Sequence, residues 1–543
     1  MQYLVGHIQM LCMETNMKRH TIIKFFSLAI ASIMAFQMMG NTVDAIVSHQ
    51  WAKVYINELK QDQQMNDYIE QSAFLKKLDK YITKEEFLRL ITCKMNKEIS
   101  DSINKQLDTE YIKNLKDSIT REEAVTIAGV LCKLESYNQV TFNDKNSISE
   151  DACNYISAFQ EHGIVIGYGN NKFIPENKLT IAEAIVIASK LIKKGFISSN
   201  KVIDIAGDKN GYSDGAAAQA NFYRPIGLCN DKNNGILVVD SYNNLIRRIF
   251  NQNVETVAGK KLDRKDIYGI PSGGHLDTDK SQALFNKPQF ATVNENGDIL
   301  VSDTENNCIR LISNAKVTSL NSTTSAGYRD GMLETALFNK PSDIVYDKLG
   351  NVYVADTLNN CIRYIDMKKG EVSTFAGKQS ISGLKDGAIS NSLFNQPVGL
   401  AIDKNGVLYV SDCGNQRIRK IEKGIVSTVA GSGENILEGT SYIEGGYADG
   451  KRNEARFNFP SGIDVSDNGI IFVADTKNHR IRAITSTSVV TVAGNGEAGY
   501  FSSMSRASAF NEPSDVLVSG NKIYVSDTFN AKIRVINIDT SWK

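Results

Sequence analysis

The residue types that recur at fixed spacing in this chain are a carboxylate, an amide and a guanidinium. "DTLNNCIR", residues 356 to 363, sets Asp356, Asn359 and Arg363 at positions one, four and eight, and five related octapeptides do the same. The acids are Asp240, Asp303, Asp356, Asp412, Asp475 and Asp527, and the bases are Arg247, Arg310, Arg363, Arg419, Arg482 and Arg534. The amides are Asn243, Asn306, Asn359, Asn415, Asn478 and Asn530. Such a triplet is suited to a chemical site, to a ligand contact, or to pairing with itself. A hairpin that turned about the middle of the octapeptide would bring its first and eighth residues face to face as a cross-strand ion pair. Asn would then hold the turn through side-chain to backbone bonds. A pair of this kind contributes under about 1 kcal/mol and fixes register. The octapeptide therefore reads as a clamp. Specificity falls to residues between the constant ones, such as Leu358, Lys477 and Phe529.

Groups that would carry catalysis are sparse. Past residue 200 the only histidines are His275 and His479, in different contexts, and no nucleophile elbow, HExxH or phosphate loop occurs. No Cys/His spacing suits a metal, and no cofactor is expected. The better ligand candidates are "GYSDG" at 211, "GYRDG" at 327, "GLKDG" at 383, "GYADG" at 446 and "GYFSS" at 499. They offer Tyr212, Tyr328, Tyr447 and Tyr500 together with Asp214, Asp330, Asp386 and Asp449. Aromatic rings beside carboxylates suit a sugar or a basic peptide. Otherwise the tyrosines pack and the Asp-Gly pairs merely turn.

The elements that must carry these residues follow from a long repeat. "FNKPSDIVYDKLGNVYVADTLNNCIRYID" at 338 has counterparts starting at 222, 285, 394, 457 and 510, and six of the eight prolines share one repeat position. Each copy reads as strands after the Pro ("SDIVYD"), at "NVYVAD", at "CIRYID" and at the following "VSTFAG" type, with "KNG"-like turns between the first two. Four antiparallel strands repeated six times predict an all-β six-bladed propeller. The last copy lacks its fourth strand, and a spare strand of that type, "VIDIAG", stands at 202. A 3+1 closure of the ring would use it and remove two sheet edges. In such a ring the Tyr-bearing loops share one face with the octapeptides.

Residues 46–197 differ in kind. Three segments, "ITKEEFLRLI" at 82, "ITREEAVTIA" at 119 and "LTIAEAIVIA" at 179, each place a Thr three residues before a Glu. That is a capping box at a helix start. Ahead of them, "MKRHTIIKFFSLAIASIMAFQMMGNTVDA" from Met17 has basic residues, a short apolar run and small residues at Val43 and Ala45. This predicts a signal peptide within residues 1–45, export, and no transmembrane span after cleavage. Lys plus Arg equals Asp plus Glu at 61 each, so no basic footprint for nucleic acid exists. The eight cysteines are scattered and are expected to be free thiols.

The repeats over residues 198–543 resemble NHL repeats, whose propellers usually act as binding platforms; some related six-bladed rings are metal-dependent lactonases or amidating lyases. "SHQWAKVYINEL" at 48 and "ISEDACNYISAFQEHGIVIGYGNNKFIPENKLTIAEA" at 148 resemble S-layer homology (SLH) modules, three of them, the middle one short. That resemblance implies non-covalent attachment to secondary cell-wall polysaccharide. The basic residue at the helix start would contribute, beside free amides and the positive helix end. The matching positions are Lys84, Arg121 and Ile181, so the third groove departs from the pattern. Trp51 is a further candidate for stacking on a sugar. The expectation is a secreted, wall- or S-layer-associated protein displaying a propeller that binds a protein, peptide or glycan, and not an enzyme. The alternatives are a propeller enzyme and a purely structural surface-layer component.

Overall fold

The computed structural model describes residues 50–92, 114–193, 202–500 and 508–538, apart from residues 61, 62, 73, 133, 135, 137 and 268 within them. The expected signal peptide, Cys12 and Cys93 lie outside the described residues. The chain divides into two compact units, residues 1–197 and 198–543.

In the first unit, helices Lys84–Thr92, Arg121–Cys132 and Ile181–Lys193 start as their sequences require. The amides of Thr83, Thr120 and Thr180 each donate to the Glu three residues on, at 2.9 Å. The amides of Glu86, Glu123 and Glu183 return the bond to the Thr hydroxyls at 3.2, 3.2 and 3.3 Å. Both halves of the capping box are thus present three times, which satisfies donors that a helix start leaves open. The residues just before the boxes bond to one another in a closed triangle. Ile119 donates to Ile82 at 3.0 Å, Ile82 to Leu179 at 3.0 Å, and Leu179 to Ile119 at 2.9 Å. Three helix starts are therefore tied at one point, above a core that includes Phe87, Val125 and Ile185. Among the described residues no helix is long and apolar enough to cross a membrane.

The second unit is a six-bladed propeller. Blade 3 is typical: its innermost strand is Pro341–Tyr346, followed outward by Val352–Asp356, Cys361–Asp366 and Glu371–Gly377, all antiparallel. Proline can open the inner strand because its missing N–H falls at the strand's first residue. Between the first two strands the chain reverses through glycine, as at Gly406 with φ of +82°. Blades 1 to 5 exceed the expected four strands. A two-residue outer strand, such as Gly331–Met332 in blade 3, adds to each sheet, and the Asp-Gly pairs help to build it.

Blade 6 closes the ring as the sequence requires. Its sheet runs Val202–Ala206, Lys532–Asn537, Lys522–Asp527, Pro513–Ser519, so a strand from the start of the unit completes the sheet made at its end. Apolar clusters fill the space between adjacent blades. Phe222, Phe285, Phe338, Phe394, Phe457 and Phe510, the first residue of each repeat, are all at most 1% exposed. Burying each contributes about 1.5–3 kcal/mol. The six described cysteines are free thiols, with Cys308 and Cys361 buried at the same position of blades 2 and 3.

Candidate functional site

Strand register shows how the octapeptide works. Asp356 stands opposite Cys361 and Arg363 opposite Val354, so acid and base are diagonal neighbours and not directly facing ones. The turn between them is a single 3-10 turn, Thr357–Asn359, closed by Asn360 in the left-handed region at φ 55°. Arg363 Nη1 donates to Asp356 Oδ2 at 2.7 Å, and both side chains are fully buried. Asn359 Nδ2 donates to the same oxygen at 2.8 Å, and also to the carbonyl of Gly327 at 2.8 Å. The Asn therefore ties the turn to the "GYRDG" loop. Burial pushes the Asp356 carboxyl up to about 6, against the pull of Arg363, Asn359 and the Asn339 amide. A pair this deep is not a surface pair of under 1 kcal/mol. Removing one partner strands a buried charge.

The rest of the guanidinium reaches the Tyr-bearing loop. Nε of Arg363 donates to Asp330 Oδ1 at 3.1 Å and Nη2 to the carbonyl of Arg329 at 2.9 Å. Nη1 also donates to the carbonyl of Leu337 at 3.1 Å. The Tyr328 ring lies 4.6 Å from the guanidinium carbon and Phe338 lies 5.2 Å from it. Octapeptide, loop and repeat phenylalanine thus form one buried assembly around one arginine.

This arrangement places the loop residues proposed as ligand contacts. Asp214, Asp386 and Asp449 pair with Arg247, Arg419 and Arg482 of their own blades. Tyr212, Tyr447 and Tyr500 lie over Arg247, Arg482 and Arg534 at 5.0, 4.9 and 5.5 Å. Tyr212, Tyr447 and Tyr500 keep 38%, 44% and 51% of their surface exposed, so each presents an edge to solvent from its own blade. Two members of the set escaped the sequence. In blade 2 the carboxylate is Asp277, in a loop without the Tyr-x-Asp-Gly pattern, and it meets Arg310 Nη2 at 2.6 Å. In blade 6 it is Asp204, on the closing strand, 3.2 Å from Arg534 Nε.

Other octapeptide positions join neighbouring blades. Thr304, Thr357, Thr476 and Thr528 donate their hydroxyls to the carbonyls of Pro341, Pro397, Pro513 and Pro225 in the next blade at 2.7–2.8 Å. The left-handed residue after the Asn accepts from the amide that precedes the next blade's proline. Asn244, Asn307, Asn360, Gln416 and His479 receive Lys287, Lys340, Gln396, Phe459 and Glu512 at 2.6–3.1 Å. Ala531 holds this position in blade 6 and has no side-chain acceptor to offer.

Three more carboxylates line the axial channel, on the innermost strands. Asp343 accepts from the amide of Leu400 in blade 4, Asp464 from Val518 in blade 6, and Asp515 from Leu228 in blade 1, each at 2.7 Å. Burial pushes Asp343 up to about 8 and Asp464 to about 6, and it raises Asp515 well above the usual carboxylate range, with Asp343 adding repulsion. Among the described residues no group of three or more His, Cys, Asp or Glu is placed to hold a metal ion.

In the first unit the expected polysaccharide contacts are brace points between helix starts. Lys84 Nζ meets Glu123 Oε1 at 2.5 Å, and Arg121 Nη1 lies 3.8 Å from Glu183 Oε1. Arg121 also stacks between Tyr168 and Phe173 at 4.2 and 5.1 Å, and Tyr168 donates its phenol to Glu183. Each base thus binds the capping glutamate of the next segment. Ile181 breaks the cycle: it is buried and leaves Glu86 without the corresponding cation. Trp51 lies on helix Gln50–Lys60, but its side chain is outside the described residues.

Comparison with known proteins agrees with this division. The S-layer homology domain family matches residues 141–185, and the NHL repeat family matches 285–310, 338–363, 394–421 and 457–484. The chain is 30% identical over 302 residues to Protein SUPPRESSOR OF QUENCHING 1, chloroplastic, of Arabidopsis thaliana, covering 51% of this chain and 26% of that protein. It is 27% identical over 308 residues to NHL repeat-containing protein 2 of Bos taurus, covering 50% and 42%. The chain thus spans less than half the length of these relatives. Among solved structures, an auxiliary nutrient binding protein from Bacteroides thetaiotaomicron is similar at 16% identity and a TM-score of 0.47, over 63% of this chain and 78% of that one. That likeness is too remote to bear on function. The chain carries an S-layer homology domain followed by a six-bladed β-propeller of NHL repeats.

Proposed function

We propose that the protein is exported, held non-covalently on wall polysaccharide by residues 46–197, and displays the propeller of residues 198–543 as a binding platform. The observation that carries this reading is the pair of bases at helix starts, Lys84 and Arg121, in the unit whose residues 141–185 match the S-layer homology domain. The first-turn amides beside these bases are already taken, as Lys84 N–H is by Asp117 and Arg121 N–H by Asn177, so the attraction rests on the cations and the positive end of the helix, which favour a carboxylate-bearing polymer. The platform role is supported by a ring whose repeated polar residues are spent on its own construction, which leaves its faces to vary.

The full chain is expected to sediment with purified cell walls and to stay in solution once the wall polysaccharide has been extracted. Retention on stripped walls would refute the anchoring mechanism. Metal analysis of the purified protein tests the rival of a metal-dependent propeller enzyme, for which a stoichiometric divalent ion would speak.

A further inference from the structure

A cleft opens at the ring seam of the propeller, between blades 6 and 1, with a volume of about 890 Å³. It lies on the face made by the hairpins between first and second and between third and fourth strands, opposite the octapeptides and tyrosine loops. Two local features leave it open. From repeat proline to octapeptide acid, Pro513 to Asp527 is one residue shorter than the corresponding stretch of the other blades, such as Pro341 to Asp356. In blades 1 and 3 this hairpin reaches across to its neighbour through a lysine. Lys232 of blade 1 donates to the Asn296 carbonyl of blade 2, and Lys348 of blade 3 to the Lys404 carbonyl of blade 4. The shortened hairpin of blade 6 has Ser519 and Gly520 where blades 1 and 3 place that lysine, and its own Lys522 lies on the cleft lining. Side-chain size contributes as well. Blade 3 packs Tyr353, Tyr364 and Phe375 together with ring centroids 4.8–6.3 Å apart, where blade 6 has Tyr524, Val535 and Ile205.

The lining has a definite chemistry. Its floor is apolar, from Ile205, Ile236, Ile249 and Val535, and the rings of Tyr524 and Phe250 line it as well. Phe250 is 37% exposed and is backed by the Arg248 guanidinium, 4.5 Å from its centroid. The rim carries the amides of Asn233, Asn234, Asn251 and Gln252, exposed and with no side-chain hydrogen bond among the described residues. Asn234, Asn251 and Gln252 sit in the left-handed region at φ of 62°, 48° and 60°, so the turns hold them in place. The one acid present, Asp231, is already paired with Arg248.

We infer that this seam cleft is a glycan-binding site for a short, uncharged oligosaccharide. A side-chain amide donates and accepts at once, which matches vicinal hydroxyls, and an aromatic ring suits the C–H face of a pyranose. With its acid neutralised and Lys522 the remaining charge on the lining, the cleft has no arrangement for a polyanion or a basic peptide. The inference rests on the platform reading and names its ligand class.

The test uses the full chain on an array of neutral hexose and N-acetylhexosamine oligosaccharides, with the strongest signals measured by calorimetry. Phe250→Ala and Asn251→Gly, the latter keeping the left-handed turn, are each expected to weaken binding at least tenfold without moving the unfolding midpoint. Lys316→Ala, an exposed residue of blade 2 away from the cleft, is expected to leave it unchanged. Binding that survives both cleft substitutions, or that is lost with Lys316→Ala instead, would overturn the assignment. So would an array without saturable binding. A peptide array that saturates while the glycans do not would reject the glycan but leave the platform standing. Retention on cell walls reports separately on the anchor.

Discussion

Asn360 in blade 3 accepts a hydrogen bond at 2.9 Å from the backbone amide of Gln396 in blade 4, and it does so from the left-handed region at φ 55°. One residue therefore ends a turn within its own blade and caps the entry to the next. Asn360→Gly keeps the turn and removes the acceptor. The expected cost is about 1–3 kcal/mol, the penalty for leaving an amide without its partner. The reverse change is available at the seam, where Ala531→Asn supplies the missing acceptor and a residue better suited to its φ of 55°. It is expected to raise the unfolding midpoint by about 2 °C, from a gain near 1 kcal/mol. Thermal unfolding of both variants measures the two signs, and a lower midpoint for Ala531→Asn would contradict the comparison between blades.

Arg363 carries the largest expected loss. It serves Asp356, Asp330, Leu337 and Arg329 from one guanidinium. Arg363→Ala leaves two carboxylates uncompensated and is expected to destabilise the propeller by about 3–5 kcal/mol. Arg363→Lys retains the charge but cannot span these four partners, so its denaturation midpoint should lie much nearer to that of Ala than to the native protein.

Stability should depend on pH through the axial carboxyls. An unfolded Asp ionises near pH 4, whereas burial raises Asp343 to about 8 in the fold. Between about pH 4 and 8 the unfolded chain has released a proton that the native protein retains, so stability falls as pH rises through that window and levels above it. Asp343→Asn should flatten the upper part of the decline, between pH 6 and 8, in urea midpoints taken across the range. A slope equal to that of the native protein would assign the effect elsewhere, first to Asp515.

Wall attachment should be sensitive to the two bases and not to the position that lacks one. Arg121→Ala and Lys84→Ala are each expected to lower the fraction of protein retained on walls several-fold, while Ile181→Val leaves it unchanged. Co-sedimentation read alongside circular dichroism separates lost binding from lost folding, because Lys84 and Arg121 also brace neighbouring helix starts.

The propeller was legible because six imperfect copies expose what is constant in each, and because a spare strand at 202 and a missing one at the end explain each other. The three helix starts were legible because a capping box is a local signal. The arginine assembly was not, because its second carboxylate lies far from it in the chain. The separation is nevertheless fixed: Asp214, Asp277, Asp330, Asp386 and Asp449 each precede their arginine by 33 positions. Aligning the loops by that interval, without regard to the Tyr-x-Asp-Gly pattern, would have found Asp277. The staple at Asn360 stayed hidden because Asn, Gln and His fill the same role, so the position looks variable while its hydrogen bond is constant. The seam cleft needed the identity of the blade pair that closes the ring, together with a shortening of a single residue.

The strand Val202–Ala206 has one more implication, a mechanical one. Along the chain, residues 1–197 lead into the propeller through this strand, which is paired to Lys532–Asn537 and holds the ring shut. Tether and latch are then the same piece of chain. Tension carried along the chain reaches the seam first, so blade 6 is expected to open before any other blade.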